Sequence, residues 1–148
     1  MFIVSACLAG INTRYNGKAC GNTDIMALVA RGKAFPVCPE QLGGLPTPRE
    51  PIELVGGDGA DLLVGRARAI GIKTGKNYTE NFLRGAKEVL KIAKMLKIKT
   101  AILKDGSPSC GYTYIKVGGR RVKGRGVTTA AFLKAGIKVT VGDVRKKS

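Results

Sequence analysis

A chain of 148 residues is long enough to bury about two-thirds of the surface it exposes when unfolded, so it can fold as one domain without a disulfide or metal to hold it. Lys plus Arg number 26 against 10 Asp plus Glu, a formal net charge of +16. Such a bias admits polyanionic partners beside the plainer reading of a lysine-rich solvated surface. Histidine is absent, which excludes a Ser-His-Asp arrangement and His-liganded zinc and leaves Cys, Asp, Glu, Lys and Tyr to carry any chemistry.

The first predicted element is an apolar strand over residues 2–6, followed by the polar, glycine-containing loop CLAGINTRYNGKACGN. Asn22 or Thr23 can cap a helix through residue 30, with Gly32 as a left-handed stop, and a second strand over 33–37 ends at Cys38. The prolines and glycines of PEQLGGLPTPREPIELVGGDG predict a long loop over residues 39–59. Alternation then predicts a strand over 66–73 with a turn at 74–77, and Thr79 is expected to cap the strongest helix, 80–96, where Phe82, Leu83, Ala86, Val89, Leu90, Ala93 and Leu96 recur at helical spacing. A buried strand over 100–104 leads into SPSCG, and a basic hairpin occupies 113–123 around Gly118-Gly119. A short helix over 127–135, stopped by Gly136, delivers the last strand, 137–141, and the tail RKKS is expected to fray.

Strands alternating with helices in this order predict a three-layer, Rossmann-like α/β sandwich with a mostly parallel sheet, as one domain over residues 1–148. No run reaches the roughly 18 apolar residues of a membrane span, and MFIVSAC lacks the basic start and apolar length of a signal peptide. A soluble cytoplasmic protein is therefore expected, and there four cysteines (Cys7, Cys20, Cys38, Cys110) are thiols, metal ligands or catalytic groups rather than a disulfide framework.

Cys7, Cys38 and Cys110 each follow the carboxyl end of a predicted strand. In a parallel sheet those ends share one edge, where open α/β folds place their chemistry. Three readings follow. The three are small buried residues at strand ends; or Cys110 is a nucleophile served by Lys104 or by loop amides; or three thiolates hold a soft metal centre, an iron–sulfur cluster being one that tolerates three protein ligands and an open iron.

The motifs SACLAG (5–10), RYNG (14–17), PVCPEQLGGLPTPREP (36–51), VGGDG (55–59), ILKDGSPSCG (102–111) and GRGVTTAAFLKAGIKV (124–139) resemble, in this order and over nearly the whole chain, the small thiouracil desulfurase (TudS-like) family. The resemblance implies a [4Fe-4S] cluster held by Cys7, Cys38 and Cys110, whose free iron takes sulfur from a thiolated pyrimidine in a non-redox reaction. One departure stands out: family members commonly read NCRYDG where this chain has NTRYNG, so Thr13 replaces a further cysteine, and Cys20 is read as a surface thiol.

Within that reading the general base is expected at Glu40, the carboxylate nearest in sequence to a ligand, with apolar Leu42 and Leu45 nearby and Arg49 available for pairing. Ser107 is assigned to the catalytic site, and Ser109, Arg14 and Tyr15 to substrate binding; both serines can instead hold the turn. The expected partner is a small thiopyrimidine. RNA is secondary: KVGGRRVKGRG (116–126) can track phosphates, but few aromatic residues lie within it to stack on bases.

Overall fold

The computed structural model describes residues 1–142; the expected frayed tail, 145–148, lies outside them. Its centre is a four-stranded sheet made from β1 (Phe2–Ser5), β2 (Ala34–Val37), β5 (Thr100–Leu103) and β8 (Lys138–Val141). The spatial order is β2-β1-β5-β8 and every pairing is parallel. Alternation along the strands sends successive side chains to opposite faces. Ile3, Ala101, Leu103 and Val139 pack against Val89 and Ala93 of α4 (Thr79–Met95) and Phe132 of α5 (Val127–Lys134). Val4 and Ala34 face the other way and meet Ile25 of α1 (Thr23–Ala30). Helices thus cover both faces, which gives the three layers.

A second core sits beside the first. β3 (Ile52–Val55) and β4 (Arg68–Gly71) pair antiparallel as a separate ribbon. Its inward residues Ile52, Leu54 and Ala69 pack with Phe82 and Ala86 of α4 and with Leu62 of α3 (Gly59–Leu63). Helix α4 therefore serves both cores from different turns of its apolar stripe.

The expected long loop over 39–59 is corrected here, because it contains α2 (Pro39–Leu42) and β3. The prolines and glycines around them read as loop, yet each had a local signal: Pro39 at the first helical position, and Ile52 and Leu54 alternating between Pro51 and Gly56. Helix α3 was also missed, although Asp58 and Asp61 form a reciprocal capping box at its start. Thr79 does not cap α4. It is the first helical residue, and its hydroxyl accepts the Ala69 amide at 3.0 Å, tying the helix to β4.

Helix α2 lies on α4 backbone to backbone. A Cβ on Gly43 would stand 2.0 Å from the Asn81 carbonyl oxygen, and one on Gly85 would stand 2.0 Å from that of Pro39. Asn81 Nδ2 donates to the Gly43 carbonyl at 2.8 Å across the same contact. The hairpin appears as expected, β6 (Tyr114–Val117) and β7 (Arg120–Lys123), with Gly118 and Gly119 both at positive φ. That is the conformation a tight two-residue turn demands. Among the described residues no helix is long and apolar enough to cross a membrane.

Candidate active site

The carboxyl edge of the sheet supplies three turns that meet at one cavity of about 270 Å³. Cys7 lies in a 3₁₀ turn, Ala6–Ala9, which follows β1 directly and stops at Gly10 in the left-handed region. Cys38 ends β2 and caps α2, whose Leu42 amide bonds the Cys38 carbonyl at 3.0 Å. Cys110 follows β5 by one loop. All three border the cavity, with Cys7 and Cys110 buried and Cys38 half-buried.

The loop that carries Cys110 is held almost entirely by backbone bonds. Asp105 Oδ1 accepts the amides of Gly106, Tyr112, Thr113 and Tyr114 at 3.0, 2.9, 3.1 and 3.4 Å, and Oδ2 accepts the Thr113 hydroxyl. Helix α5 closes the loop from the other side. The amides of Val127 and Thr128 donate to the carbonyls of Pro108 and Ser109, each at 2.9 Å, and the Thr129 hydroxyl donates to that of Cys110 at 2.8 Å. A helix's first amides have no intrahelical partner, and here they find one in the loop. Gly126 permits this fit, since a Cβ there would lie 2.5 Å from the Ser109 carbonyl carbon.

Three thiols so placed resist ionisation. Burial pushes Cys110 up to about 11, with the Cys38 and Glu40 charges adding to it against the lowering hydrogen bonds of Ser5 and Ser109. Burial also raises Cys38. Cys7 is raised furthest, first by its hydrogen bond with Cys20, then by burial and by the charges of Cys20, Cys110 and Cys38. Cys7 thus feels both other thiols and Cys110 feels Cys38, and a cation placed among them would favour their ionised forms. Among the described residues no three Cys, Asp, Glu or His side chains close round a single point tightly enough for one metal ion.

Beside the thiols stands a buried polar chain. Arg49 Nε donates to Glu40 Oε1 at 2.7 Å in an ion pair shielded from solvent, and the Ser109 hydroxyl donates to Glu40 Oε2 at 2.7 Å. Arg49 Nη2 reaches the Thr13 carbonyl at 3.0 Å and approaches Cys38 Sγ at 4.0 Å. The carboxylate of Glu40 thus meets polar partners; Leu45 is buried and its amide donates to the Glu40 carbonyl at 3.1 Å, whereas Leu42 is exposed. The two serines divide differently from expectation. Ser109 touches the carboxylate, whereas the Ser107 hydroxyl accepts the Cys110 amide at 2.8 Å and pins the turn. Arg14 and Tyr15 border the same cavity, and the Tyr15 carbonyl accepts the Arg49 amide at 2.8 Å.

The pairing of Arg49 with Glu40 is as expected, whereas sequence reasoning missed the cage at Asp105, although an Asp-Gly turn marked it. Cys20 needs a correction, because it is not a surface thiol. It is half-buried against Cys7 and Leu8, outside the residues that border the cavity.

A family model described as 2-thiouracil desulfurase matches residues 2–143. The chain belongs to the 2-thiouracil desulfurase family. It is 44% identical over 142 residues to the uncharacterized Bacillus subtilis protein YbbK, covering 94% of this chain and 93% of that one. A solved structure of the [4Fe-4S]-dependent thiouracil desulfidase TudS matches with a TM-score of 0.83 and 39% identity, over 95% of this chain and 89% of that one. This desulfurase-family chain thus shares its fold with a cluster-dependent enzyme over nearly its full length.

Proposed function

We propose that the protein hydrolyses the C=S bond of a thiolated uracil, releasing sulfide and leaving a carbonyl, with Cys7, Cys38 and Cys110 holding a [4Fe-4S] cluster. The observation that carries this reading is the convergence of three thiols from three separate turns on one cavity that also holds Glu40 and Ser109. Three thiols in a chain without histidine suit a soft iron–sulfur centre, the reading that this donor set supports. TudS, the structural relative, is described as [4Fe-4S]-dependent. When bound, such a cluster supplies a Lewis-acidic iron without a protein ligand, which attracts the thione sulfur and draws electron density from the ring carbon.

The chain's own groups do the rest. Arg49 holds Glu40 through one oxygen, and the other oxygen faces Ser109. Glu40 in this setting takes a proton from the water that adds to the ring carbon. The Ser109 hydroxyl, within 2.7 Å of that carboxylate, passes a proton toward the substrate's ring nitrogen. Tyr15 and Arg14 cover the ring at the cavity mouth. One water enters and hydrogen sulfide leaves, so no electrons need be supplied.

The test is an oxygen-free preparation assayed for iron and acid-labile sulfide, then incubated with 2-thiouracil or 4-thiouracil. Loss of the thione absorbance with sulfide release is expected; a colourless protein holding stoichiometric zinc, or no sulfide release from an iron-loaded one, overturns the reading. The RNA alternative gains nothing from the hairpin. Arg121 lies 4.5 Å over the Tyr114 ring and Arg125 lies 4.6 Å over that of Tyr112, so one face of each ring is already covered.

A further inference from the structure

Cys20 is the cysteine that the proposed reaction leaves unused, and it stands against the back of Cys7. The Cys20 amide donates to the Cys7 carbonyl at 3.0 Å, and two residues on the Asn22 amide donates to that of Leu8 at 2.8 Å. The two segments therefore run side by side, and Asn22, which caps α1 and bonds the Gly142 carbonyl at 2.9 Å, fixes the far end. A direct backbone hydrogen bond brings the two residues side by side, and a disulfide needs Cα atoms roughly 4.4–6.8 Å apart. Their thiols hydrogen-bond to one another and share one apolar cluster with Val4, Leu8 and Ile25. Cys38 and Cys110 belong to other strands.

We propose that Cys7 and Cys20 form a reversible disulfide when Cys7 carries no metal, so that Cys20 is the oxidation partner of a cluster ligand. The assignment of Cys7 as a ligand rests on the function proposed above; the disulfide itself does not. Cys20 is half-buried whereas Cys7 is buried, so a peroxide reaches Cys20 first. Its sulfur attacks the peroxide, the O–O bond breaks, and a sulfenic acid and water result. Cys7 then attacks that sulfur, the S–O bond breaks, and hydroxide leaves with the Cys7 proton as a second water. The two thiols lose two electrons and two protons, and the peroxide takes them up. Captured in this way, Cys7 stays reducible by a dithiol instead of advancing to sulfinic acid.

Trypsin places the four cysteines in four different peptides, 1–14, 19–31, 34–49 and 105–116, so the pairing can be read directly. The full chain, iron-loaded and after chelation, is exposed to stoichiometric hydrogen peroxide, alkylated, digested and mapped by mass spectrometry. After chelation the dominant cross-link is expected between peptides 1–14 and 19–31, and dithiothreitol should reverse it and restore iron uptake. A link to either other peptide, or no internal link, overturns the proposal. In the iron-loaded protein the link should form only as iron is lost. A link with iron fully retained would uphold the disulfide and remove Cys7 from the ligand set, which separates this proposal from the cluster reading. Cys20→Ser should give no internal link from peptide 1–14 under the same exposure, and with peroxide in several-fold excess it should carry Cys7 on to sulfinic acid where the unaltered chain holds it as the disulfide. If that variant does not fold, Cys38→Ser combined with Cys110→Ser should still give the 1–14 to 19–31 link, and its absence there would sink the idea.

Discussion

Two glycine-punctuated turns lie almost next to each other in the chain and are held in opposite ways. The loop from Asp105 to Gly111 is clamped by a carboxylate that gathers four backbone amides and by the first turn of α5. The β6–β7 hairpin, by contrast, exposes every residue of its second strand. It is anchored by the Gly118 amide on Glu53 and by Ile115 of its first strand in the second core, while Arg121 rests on Tyr114 across the hairpin itself. The loop presents a cysteine to the cavity and the hairpin presents charge to solvent. Backbone bonds inside a buried cage cannot be exchanged for water without loss, whereas a surface ring contact can. Fixed geometry is thus concentrated at the turn that brings Cys110 to the cavity.

The largest test of that contrast is chemical. Cys7→Ser, Cys38→Ser or Cys110→Ser should each lose bound iron and sulfide release together, to background, while circular dichroism stays native; Cys20→Ser should keep both under oxygen-free conditions. Next, Glu40→Gln should keep iron but slow turnover by about 10²–10⁴, the usual share of general acid–base catalysis; unchanged turnover would dismiss Glu40 as the base. Third, urea unfolding compares the two turns directly. Asp105→Ala strands the buried Gly106 amide and three part-buried ones and should cost about 2–3 kcal/mol, whereas Arg121→Ala removes a surface cation–π contact and should cost under about 1 kcal/mol. Equal losses would break the comparison. The smallest effect is in acid. The hydrogen bonds that Asp58 and Asp105 accept outweigh the cost of burying them and hold their carboxyls below the usual carboxylate range. The unfolded chain then binds more protons than the folded one in acid, so the stability these groups contribute is fully present above about pH 4 and fades as pH falls through their lower folded values. Asp105→Asn should flatten part of that decline.

How much of this was legible in the sequence depended on local pattern and on reach. The four sheet strands and α4 announced themselves because apolar alternation and helical spacing are set by burial. The placement of Cys7, Cys38 and Cys110 at one edge followed from strand order in a parallel sheet. The segment 39–63 was not legible because its closely spaced prolines and glycines read as loop although they flank α2, β3 and α3, and the ribbon's pairing is a tertiary choice. The strand expected at 66–73 exists in part as β4, but its partner is β3 rather than the central sheet. Ser107 and Ser109 could not be told apart because one residue's rotation in a tight turn decides which hydroxyl meets Glu40. Cys20 was misplaced for a related reason: thirteen positions of loop separate it from Cys7, and only the folded path shows that the loop returns.

The paired glycines between α2 and α4 have a reach beyond their own contact. Cys38 and Glu40 ride on a short helix whose seat is the bare main chain of α4 at Asn81 and Gly85, with no flexible side chain between to absorb error. A single methyl at position 85 would lift that helix as a rigid body and carry a sulfur and a carboxylate out of alignment together. Inactivating substitutions in a random library should accordingly cluster on that stripe of α4 as well as around the cavity, and their carriers should be folded proteins with a misaimed reaction centre.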